Sequence, residues 1–480
     1  MKQPLIGGVL LVAVAVTGCT HYPVNARADR PVEAGYRFPV PLPPPTEDPR
    51  DHLFVCLALS GGGTRAAAFA YGVLQALRDT RIDHNGLGSL LDEVDCLSGI
   101  SGGSFAAAAF TLMGQQDFFK EFKPRFLDRN VQGQLIQRAI NPVNLVRLMS
   151  PYFSRIDLAA ELYDDLLFHK STFAALDAQR RPFLILNATN MANGAGFEFT
   201  QDEFDFLGSD IGSVPIARAV AASSAFPFLL SPLTVQSYPA QLSESLRLVV
   251  DKALTDRETN LWRYTWARSR QELTTQTEKY IHLLDGGLAD NIGARAIMNA
   301  FAREVGFIRR RVNDERIRRL VIIMVNARTN PAESLTRSPS APGIIDVGLT
   351  TATAPMENVS ADTVELMRRL VTDDEQAQRV LADCNARLAE CREPRPRPFS
   401  TTPIVRGCVI ELSFEGLEPG DRDELLNYPT SFSLTKAQVD KLIEAGPKLL
   451  ERSQDFMRLL RALRGEPAIG RGIGEKDRCS

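Results

Sequence analysis

Residues 53–65 read LFVCLALSGGGTR, a continuous apolar run that changes abruptly into a glycine-rich turn. Seven apolar residues in succession are typical of a strand that is buried on both faces of a sheet. The stretch that follows, residues 66–77, is rich in alanine and predicts a helix. Together the three pieces predict a strand–turn–helix unit.

The same unit recurs further along the chain. Residues 94–97 predict a second short strand, which a glycine–serine turn connects to a helical pattern over residues 105–113. Residues 183–187, 280–284 and 320–325 are further candidates for buried strands. Strands that alternate with helices predict an α/β fold with a mostly parallel central sheet.

The first residues of the sequence predict a targeting signal. Lys2 precedes an apolar run at residues 5–16, which is too short to cross a bilayer and predicts a cleaved signal peptide over residues 1–18. The Val-Thr-Gly-Cys that ends at Cys19 resembles the bacterial lipobox. This resemblance implies a lipid-anchored protein of the bacterial cell envelope. Thr20, in place of Asp, resembles lipoproteins of the outer membrane that face the periplasm. Ordinary secretion is the alternative.

Two further segments flank the main α/β domain, which we place at residues 52–330. Residues 19–51 are polar and proline-rich, notably PVPLPPP at residues 39–45, and this composition predicts a stiff tether rather than a packed element. Residues 331–480 predict a C-terminal extension that is mostly helical. One alternating strand, residues 408–414, is expected to join the sheet.

Two stretches within the main domain look like insertions. Residues 118–177 are helical in pattern, whereas residues 234–278 are polar and charged. The second stretch contains Trp262 and Trp266, which lie on one face if the segment is helical. Either the two indoles pack on the body of the protein, or they form a lid or a lipid-facing surface.

Composition excludes several classes of function. A net charge of −3 and the absence of a Lys/Arg-rich block argue against a nucleic-acid partner. Seven cysteines are too few for a disulfide framework, and no Cys/His spacing indicates zinc, so we expect neither a metal nor a cofactor. Cys56 and Cys96 are predicted to be small buried hydrophobes. Cys384 and Cys391 can pair only if they do not share a helix.

Gly99-Ile100-Ser101-Gly102-Gly103 fits the G-x-S-x-G nucleophile elbow between a strand and a helix. The turn is so tight that side chains at its glycine positions, Gly99 and Gly103 included, would collide. The serine is expected to be held in a strained conformation with its hydroxyl presented to substrate. The positive end of the following helix favours negative charge that develops there.

Gly61, Gly62 and Gly63 form a second turn between a strand and a helix, with Arg65 just beyond it. One interpretation is a phosphate-binding loop, but Ala66 occupies the position where G-x-G-x-x-G requires its last glycine. The other is an oxyanion hole made of backbone N–H groups, each worth about 3 kcal/mol of transition-state stabilisation. The nucleophile elbow nearby favours the oxyanion hole.

A serine nucleophile needs a base, and the chain has only five histidines, none of them after His282. His282 stands three residues before Asp285 on one predicted strand, so the two side chains point to opposite faces. We therefore expect His282 to be a core or supporting residue. Asp285 ends that strand before the turn Gly286-Gly287, where a carboxylate can take the serine proton directly. The sequence thus predicts a Ser–Asp dyad.

These motifs together resemble the patatin-like phospholipases. The glycine turn with its basic residue, the serine elbow and the Asp-Gly-Gly turn occur in the family's order, and Ala-Ser-Ser-Ala-Phe-Pro at residues 222–227 is a fourth match. The resemblance implies a three-layer α/β sandwich with residues 52–330 as its catalytic domain. It also implies Ser101 as the nucleophile and Asp285 as the base. The N–H groups of Gly62 and Gly63 would form the oxyanion hole, supported by Arg65.

The implied activity is hydrolysis of fatty-acyl esters in phospholipids, lysophospholipids or neutral lipids at a membrane surface, without a metal. Two alternatives stay open at this point. An acyltransferase would use the same site but pass the acyl group to an alcohol. A lipoprotein binding module would retain the fold without catalysis.

Overall fold

The computed structural model describes residues 25–33, 35–38, 52–82, 88–176, 181–238, 242–275, 280–330, 339, 341, 343–391, 396–465 and 479. The predicted signal peptide, Cys19 and the proline run at residues 39–45 lie outside these ranges. No helix in the described ranges is long and apolar enough to cross a membrane.

Most strands belong to one central sheet. In chain order the strands are β1 (Ala26–Arg27), β2 (Leu53–Leu59), β3 (Val94–Gly99), β4 (Phe183–Asn190), β5 (Gly196–Glu198), β6 (Ser209–Asp210), β7 (Leu233–Gln236), β8 (Tyr280–Asp285), β9 (Arg319–Asn326) and β10 (Arg406–Ser413). The central sheet has eight strands in the order β10-β9-β2-β3-β4-β8-β7, with β5 also paired to β4. The five strands from β10 to β4 run parallel, whereas β5 and β8 each pair antiparallel with β4, and β7 pairs antiparallel with β8. This confirms the predicted α/β fold with a mostly parallel sheet.

Helices flank the sheet. They are α1 (Gly63–Asp79), α2 (Ser101–Phe122), α3 (Val131–Ile140), α4 (Pro142–Leu148), α5 (Arg155–Tyr163), α6 (Gln201–Phe204), α7 (Ile216–Ser223), α8 (Glu244–Leu254), α9 (Leu261–Thr275), α10 (Ala294–Ala302), α11 (Phe307–Asn313), α12 (Ile344–Ala389), α13 (Pro419–Leu426), α14 (Lys436–Arg452) and α15 (Gln454–Leu463). The core strands β2 and β3 are buried along their whole length, as their apolar runs predict.

The C-terminal extension packs directly on the main domain. The strand predicted over residues 408–414 is β10, which pairs in parallel with β9 from Arg406 to Ser413. Helix α14 crosses α1 at Gly72 and Gly446, where a Cβ on either glycine would collide with the backbone of the other helix. Sheet and core are therefore continuous between the two parts.

The tether prediction is wrong for residues 25–38. Strand β1 pairs with β6, and Tyr36 and Phe38 are buried in the core. The Phe38 ring stacks on Phe307, with ring centroids 4.5 Å apart. The polar composition of this segment hid two aromatic residues that alternate with polar ones, and their burial provides enough apolar contact to fix the segment on the body.

The cysteine prediction also needs correction. Cys56 and Cys96 are buried, but they form a disulfide because the register of β2 and β3 places them directly opposite each other. A second disulfide joins Cys408 in β10 to Cys479. Cys384 lies in α12 and Cys391 just after it, and both are free.

Candidate active site

Three turns meet at one edge of the central sheet. The glycine turn follows β2, Ser101 follows β3, and Asp285 ends β8 opposite Ala188 near the end of β4. Parallel strands end at a common edge, where α/β proteins place their ligands. This topology brings the predicted oxyanion turn, nucleophile and base together from residues that are up to 224 positions apart in the chain.

Ser101 has the strained backbone that a nucleophile elbow requires. Its φ of +45° lies in the left-handed region, which non-glycine residues rarely adopt. The residues around it must be glycine, because a Cβ on Gly102 would collide with the Gly63 carbonyl and one on Gly103 with the Leu59 carbonyl. The turn therefore holds Ser101 against the oxyanion turn while leaving it 9% exposed.

Asp285 is a buried carboxylate that faces the nucleophile. Its Oδ1 accepts a hydrogen bond of 2.8 Å from the Gly287 N–H, and the Ser101 hydroxyl lies near enough to the carboxylate to lower its pKa. Burial nevertheless raises the pKa of Asp285 to about 7, because desolvation outweighs both of these contributions. A carboxyl group with this pKa can both take and return a proton near neutral pH.

Residues 222–227 hold nucleophile and base in register. The Ser223 Oγ accepts the backbone N–H of Ser101 at 3.0 Å, and the Ala225 carbonyl accepts the backbone N–H of Asp285 at 3.0 Å. The sequence singled out this segment only by resemblance. Its physical role is to tie the two halves of the dyad to one short stretch of chain.

Two of the three glycines in the oxyanion turn can offer an N–H group to substrate. The N–H of Gly61, which the sequence places in the oxyanion turn, already donates to the Asn291 carbonyl at 3.0 Å, so the donors open to substrate are the predicted ones, those of Gly62 and Gly63. Gly63 is the first residue of α1, and Gly62 caps that helix with a φ of +138°. N–H groups at a helix start have no partner within the helix, and the helix dipole favours an anion beside them.

Arg65 lies beneath this turn. It is buried, its Nη1 donates to the Tyr428 carbonyl at 2.8 Å, and a Cβ on Gly62 would lie 3.0 Å from its Nη2. Burial lowers the pKa of Arg65 to about 10, and the charge of Glu357 opposes this shift. The guanidinium remains charged at neutral pH and supports the glycine turn from below.

Comparison with known proteins matches this arrangement to a family. The family model for patatin-like phospholipase matches residues 57–298, which is half of the 480-residue chain and contains all three turns. The chain belongs to the patatin-like phospholipase family. A comparison with curated proteins gave no match.

Solved structures of human GIVD cytosolic phospholipase A2 are among those to which this chain is similar. The enzyme alone shares 14% identity at a TM-score of 0.44, with 86% of this chain and 63% of that chain covered. Its complex with methyl gamma-linolenyl fluorophosphonate also shares 14% identity, at a TM-score of 0.41, with 87% and 60% covered. The patatin-like chain thus spans less than two thirds of the length of that enzyme.

The C-terminal extension of this patatin-like protein contributes to the site, which sequence reasoning missed. The Ser431 carbonyl accepts the N–H of Thr64 at 2.9 Å, beside the oxyanion turn. From α12, Met356 contacts the Asp turn at Gly287. The negative charge of the neighbouring Glu357 stabilises the charged form of Arg65. These residues carry no local motif, so only the folded chain reveals them.

Tyr163 is a further residue that the motifs did not indicate. Its ring is fully buried against Phe105, with centroids 4.7 Å apart. Burial raises the pKa of Tyr163, and the nearby charge of Asp285 raises it further. The phenol is therefore neutral and lies on the same side of the sheet as the dyad.

His282 lies on the face of β8 opposite to Asp285, whereas the two tryptophans line a cavity with Ile100 and Gly286, the chain neighbours of Ser101 and Asp285. His282 is exposed on β8, where its Nδ1 is 3.0 Å from the Thr234 Oγ1, so the expectation of a core or supporting residue is wrong, although its side chain does point away from Asp285. Both tryptophans lie on α9. Trp266 is buried, and the Nε1 of the partly buried Trp262 donates to the Asn299 Oδ1 at 2.9 Å, which supports packing rather than a lid.

Within the described ranges, no group of three or more His, Cys, Asp and Glu side chains is arranged to bind a metal ion.

Proposed function

We propose that this protein hydrolyses fatty-acyl esters of membrane lipids by a Ser101–Asp285 dyad. The observation that carries the proposal is the juxtaposition of Ser101 with the buried Asp285 carboxylate, because residues 223–225 bond to the backbone N–H groups of both. A serine in the left-handed region, a base whose pKa is raised to about 7 and two helix-start N–H groups at the same edge of the sheet are the parts that acyl transfer needs.

The reaction takes two steps on these groups. Asp285 accepts the Ser101 proton as the Ser101 Oγ attacks the ester carbonyl, and the Gly62 and Gly63 N–H groups stabilise the oxyanion of the tetrahedral intermediate. Asp285 then returns the proton to the leaving alcohol. A water molecule, deprotonated by the same carboxylate, attacks the acyl-enzyme; the carboxyl group then gives this proton to the Ser101 Oγ as the fatty acid is released.

The dyad can be tested against a histidine-dependent triad with three variants. Ser101→Ala and Asp285→Ala should each abolish hydrolysis of a fatty-acyl ester, whereas His282→Ala, on the opposite face of β8, should keep wild-type rates. A fluorophosphonate probe should label the wild type but not Ser101→Ala. Full activity in Ser101→Ala would disprove the proposal, and absence of labelling in the wild type would favour a catalytically silent module.

The protein's location is part of the proposal: a lipid anchor at Cys19 on the periplasmic side of the outer membrane. The small residues before Cys19 support it, as does the presence of two disulfides, since disulfides persist in oxidising compartments such as the periplasm. Palmitate labelling of cells should mark the wild type and not Cys19→Ala. Palmitate labelling of Cys19→Ala equal to that of the wild type would contradict the anchor.

A further inference from the structure

Helices α3 and α4 expose apolar side chains that a protein in water normally buries. None of the seven residues of α4 (PVNLVRL) is buried, although four of them are valine or leucine. The exposed large hydrophobic residues of this region, here called the apolar ridge, are Ile136, Ile140, Val143, Leu145, Val146, Met149, Tyr152, Phe228 and Leu229. Met149 is 84% exposed and Val143 69%. Contiguous exposed apolar surface of this kind marks an interaction site.

The ridge is held as one surface by polar contacts on its inner side. Asn141 caps α4 through its side chain, and Arg147 of α4 forms an ion pair with Glu161 of α5. Arg155, at the start of α5, donates to the Phe228 carbonyl at 2.9 Å. Phe228 itself has a φ of +70°, a conformation rare for an aromatic residue, and its side chain is nevertheless exposed.

The ridge borders the active site at two points. At one end, the loop with Phe228 continues directly from Ala225, whose carbonyl holds the Asp285 backbone. At the other, the Gln132 N–H of α3 donates to the Phe432 carbonyl, next to Ser431, which contacts the oxyanion turn. A surface that adsorbs on this ridge therefore lies beside the dyad.

The charges around the apolar ridge indicate which kind of surface it binds. Residues 129–155 contain Arg129, Arg138, Arg147 and Arg155 and no Asp or Glu, in a chain whose net charge is −3. Two of these arginines also pair with acids from beyond the segment, Arg138 with Asp165 and Arg147 with Glu161. Apolar side chains among arginines, with Tyr152 and Phe228 at the edge, match a bilayer whose headgroups carry phosphate.

We infer that the apolar ridge is the surface by which this protein docks on a phospholipid bilayer and receives its substrate. The inference rests on the proposed function for its biological meaning, but docking itself needs no catalysis. Val143, Val146 and Met149 enter the acyl region of the bilayer. The arginines stay at the level of the phosphates, and the site faces the lipid surface.

The test uses the full chain with Cys19→Ala and Ser101→Ala, so that neither an anchor nor hydrolysis contributes. Sedimentation with vesicles of equal parts phosphatidylcholine and phosphatidylglycerol measures partitioning. Val146→Glu and Met149→Glu should each weaken it at least about tenfold, since full burial of one such side chain is worth about that factor. The matched control is Val380→Glu on α12, where the valine is 55% exposed against 51% for Val146; this variant should bind like its parent.

Parent-like binding by both ridge variants would overturn the inference, as would equal loss of binding in Val380→Glu. If the parent does not bind vesicles but forms a dimer that Val146→Glu dissociates, the ridge is a protein interface and the inference is also wrong. Because every arm carries Ser101→Ala, failure of the proposed hydrolysis leaves the result on docking intact.

Discussion

The Ser223 hydroxyl accepts the backbone N–H of Ser101 at 3.0 Å, deep in the protein. Ser101 begins α2 with a left-handed backbone, so its N–H points away from the helix and needs a partner of its own. Ser223 supplies that partner from the end of α7, two residues before the carbonyl that holds Asp285. The strained turn is thus fixed from outside, and the same segment sets the distance between nucleophile and base.

Replacing Ser223 by alanine should therefore impair catalysis through position alone. The variant leaves the Ser101 N–H buried without an acceptor, at a cost of about 1–3 kcal/mol in unfolding free energy. We expect kcat to fall by roughly tenfold or more while KM changes little, because misplacement of the nucleophile acts on the chemical step. Steady-state kinetics and urea unfolding measure the two effects.

Thr111→Ala is the control for this variant. Thr111 lies on α2 as Ser101 does, but its hydroxyl donates only to the Ala107 carbonyl of the same helix. It should lose little stability and no activity. A Ser223→Ala enzyme with wild-type kcat would show that the turn keeps its conformation without this hydrogen bond.

Activity should increase with pH through about 7. Burial raises the pKa of Asp285 to about 7, and the base works only as the carboxylate. Below that pH each unit should therefore lower kcat/KM about tenfold, whereas above it the rate should level off. A profile of kcat/KM against pH on an uncharged ester tests this; an ascending limb centred near pH 4 would show that Asp285 is not desolvated in the working enzyme.

The same shift predicts how stability depends on pH. Because folding raises the pKa of Asp285 above its unfolded value of 3.8, its ionisation destabilises the folded state progressively as pH rises from about 4 to about 7. Asp285→Asn, which keeps an acceptor for the Gly287 N–H, should therefore gain stability over the wild type across this window, by up to a few kcal/mol, and hold that gain above it. Urea unfolding at a series of pH values provides the measurement, and a pH-independent difference would contradict the raised pKa.

The oxyanion turn should tolerate no side chain at Gly63. Its φ is +61°, and a Cβ would lie 2.5 Å from the Ser431 carbonyl oxygen. Gly194 is a matched control, since its φ is +69° but a Cβ there meets nothing within 4 Å. Gly194→Ala should lower the unfolding free energy only by the cost of its left-handed backbone, about 1–2 kcal/mol. Gly63→Ala should lower the unfolding free energy by a further 1–3 kcal/mol, roughly, because of the collision, and should also abolish activity. Equal losses in urea unfolding would show that residues near Ser431 move aside.

Local pattern was sufficient to predict the sheet and the three turns. A buried strand or a glycine turn is formed by consecutive residues, so apolar runs were enough to predict β2 and β3. Asp285 could be predicted as the base because the chain has no histidine after residue 282. The tether prediction failed because it used the average composition of a whole segment. Tyr36 and Phe38 are two aromatic residues in a polar, proline-rich stretch, and their burial depends on Phe183 and Phe307 far along the chain.

Contacts between residues far apart in the chain could not be predicted from the sequence for a related reason. Cys56 meets Cys96 because of the β2–β3 register, which no single strand specifies. Arg65 meets the Tyr428 carbonyl from 363 residues away, through a backbone oxygen that every residue type possesses. Where the partner is a carbonyl, no residue identity signals the contact.

The link between Arg65 and Tyr428 predicts that the C-terminal extension is needed for catalysis. Arg65→Met keeps the apolar stem but removes the donor to the Tyr428 carbonyl and the charge beneath Gly62. We expect kcat to fall about tenfold or more, and Arg65→Lys not to restore it, because an ammonium lacks the planar fork of a guanidinium. For comparison, Arg309→Met removes a donor to the Phe301 carbonyl and an ion pair with Asp374, both outside the site, and should affect stability alone. Equal kcat values for Arg65→Met and the wild type would rule out the supporting role.

The disulfide between Cys408 and Cys479 predicts a specific loss of stability. It closes a loop of 71 residues that begins in the edge strand β10, and a closure of this length restricts the unfolded chain by about 4 kcal/mol. Cys408→Ser and Cys479→Ser should therefore each lower the unfolding free energy by up to that amount in urea without reductant. Cys384→Ser and Cys391→Ser, which replace free cysteines, should change it little. If all four variants unfold at the wild-type urea concentration, the extension is held by the packing of β10 and α14 and not by this covalent link.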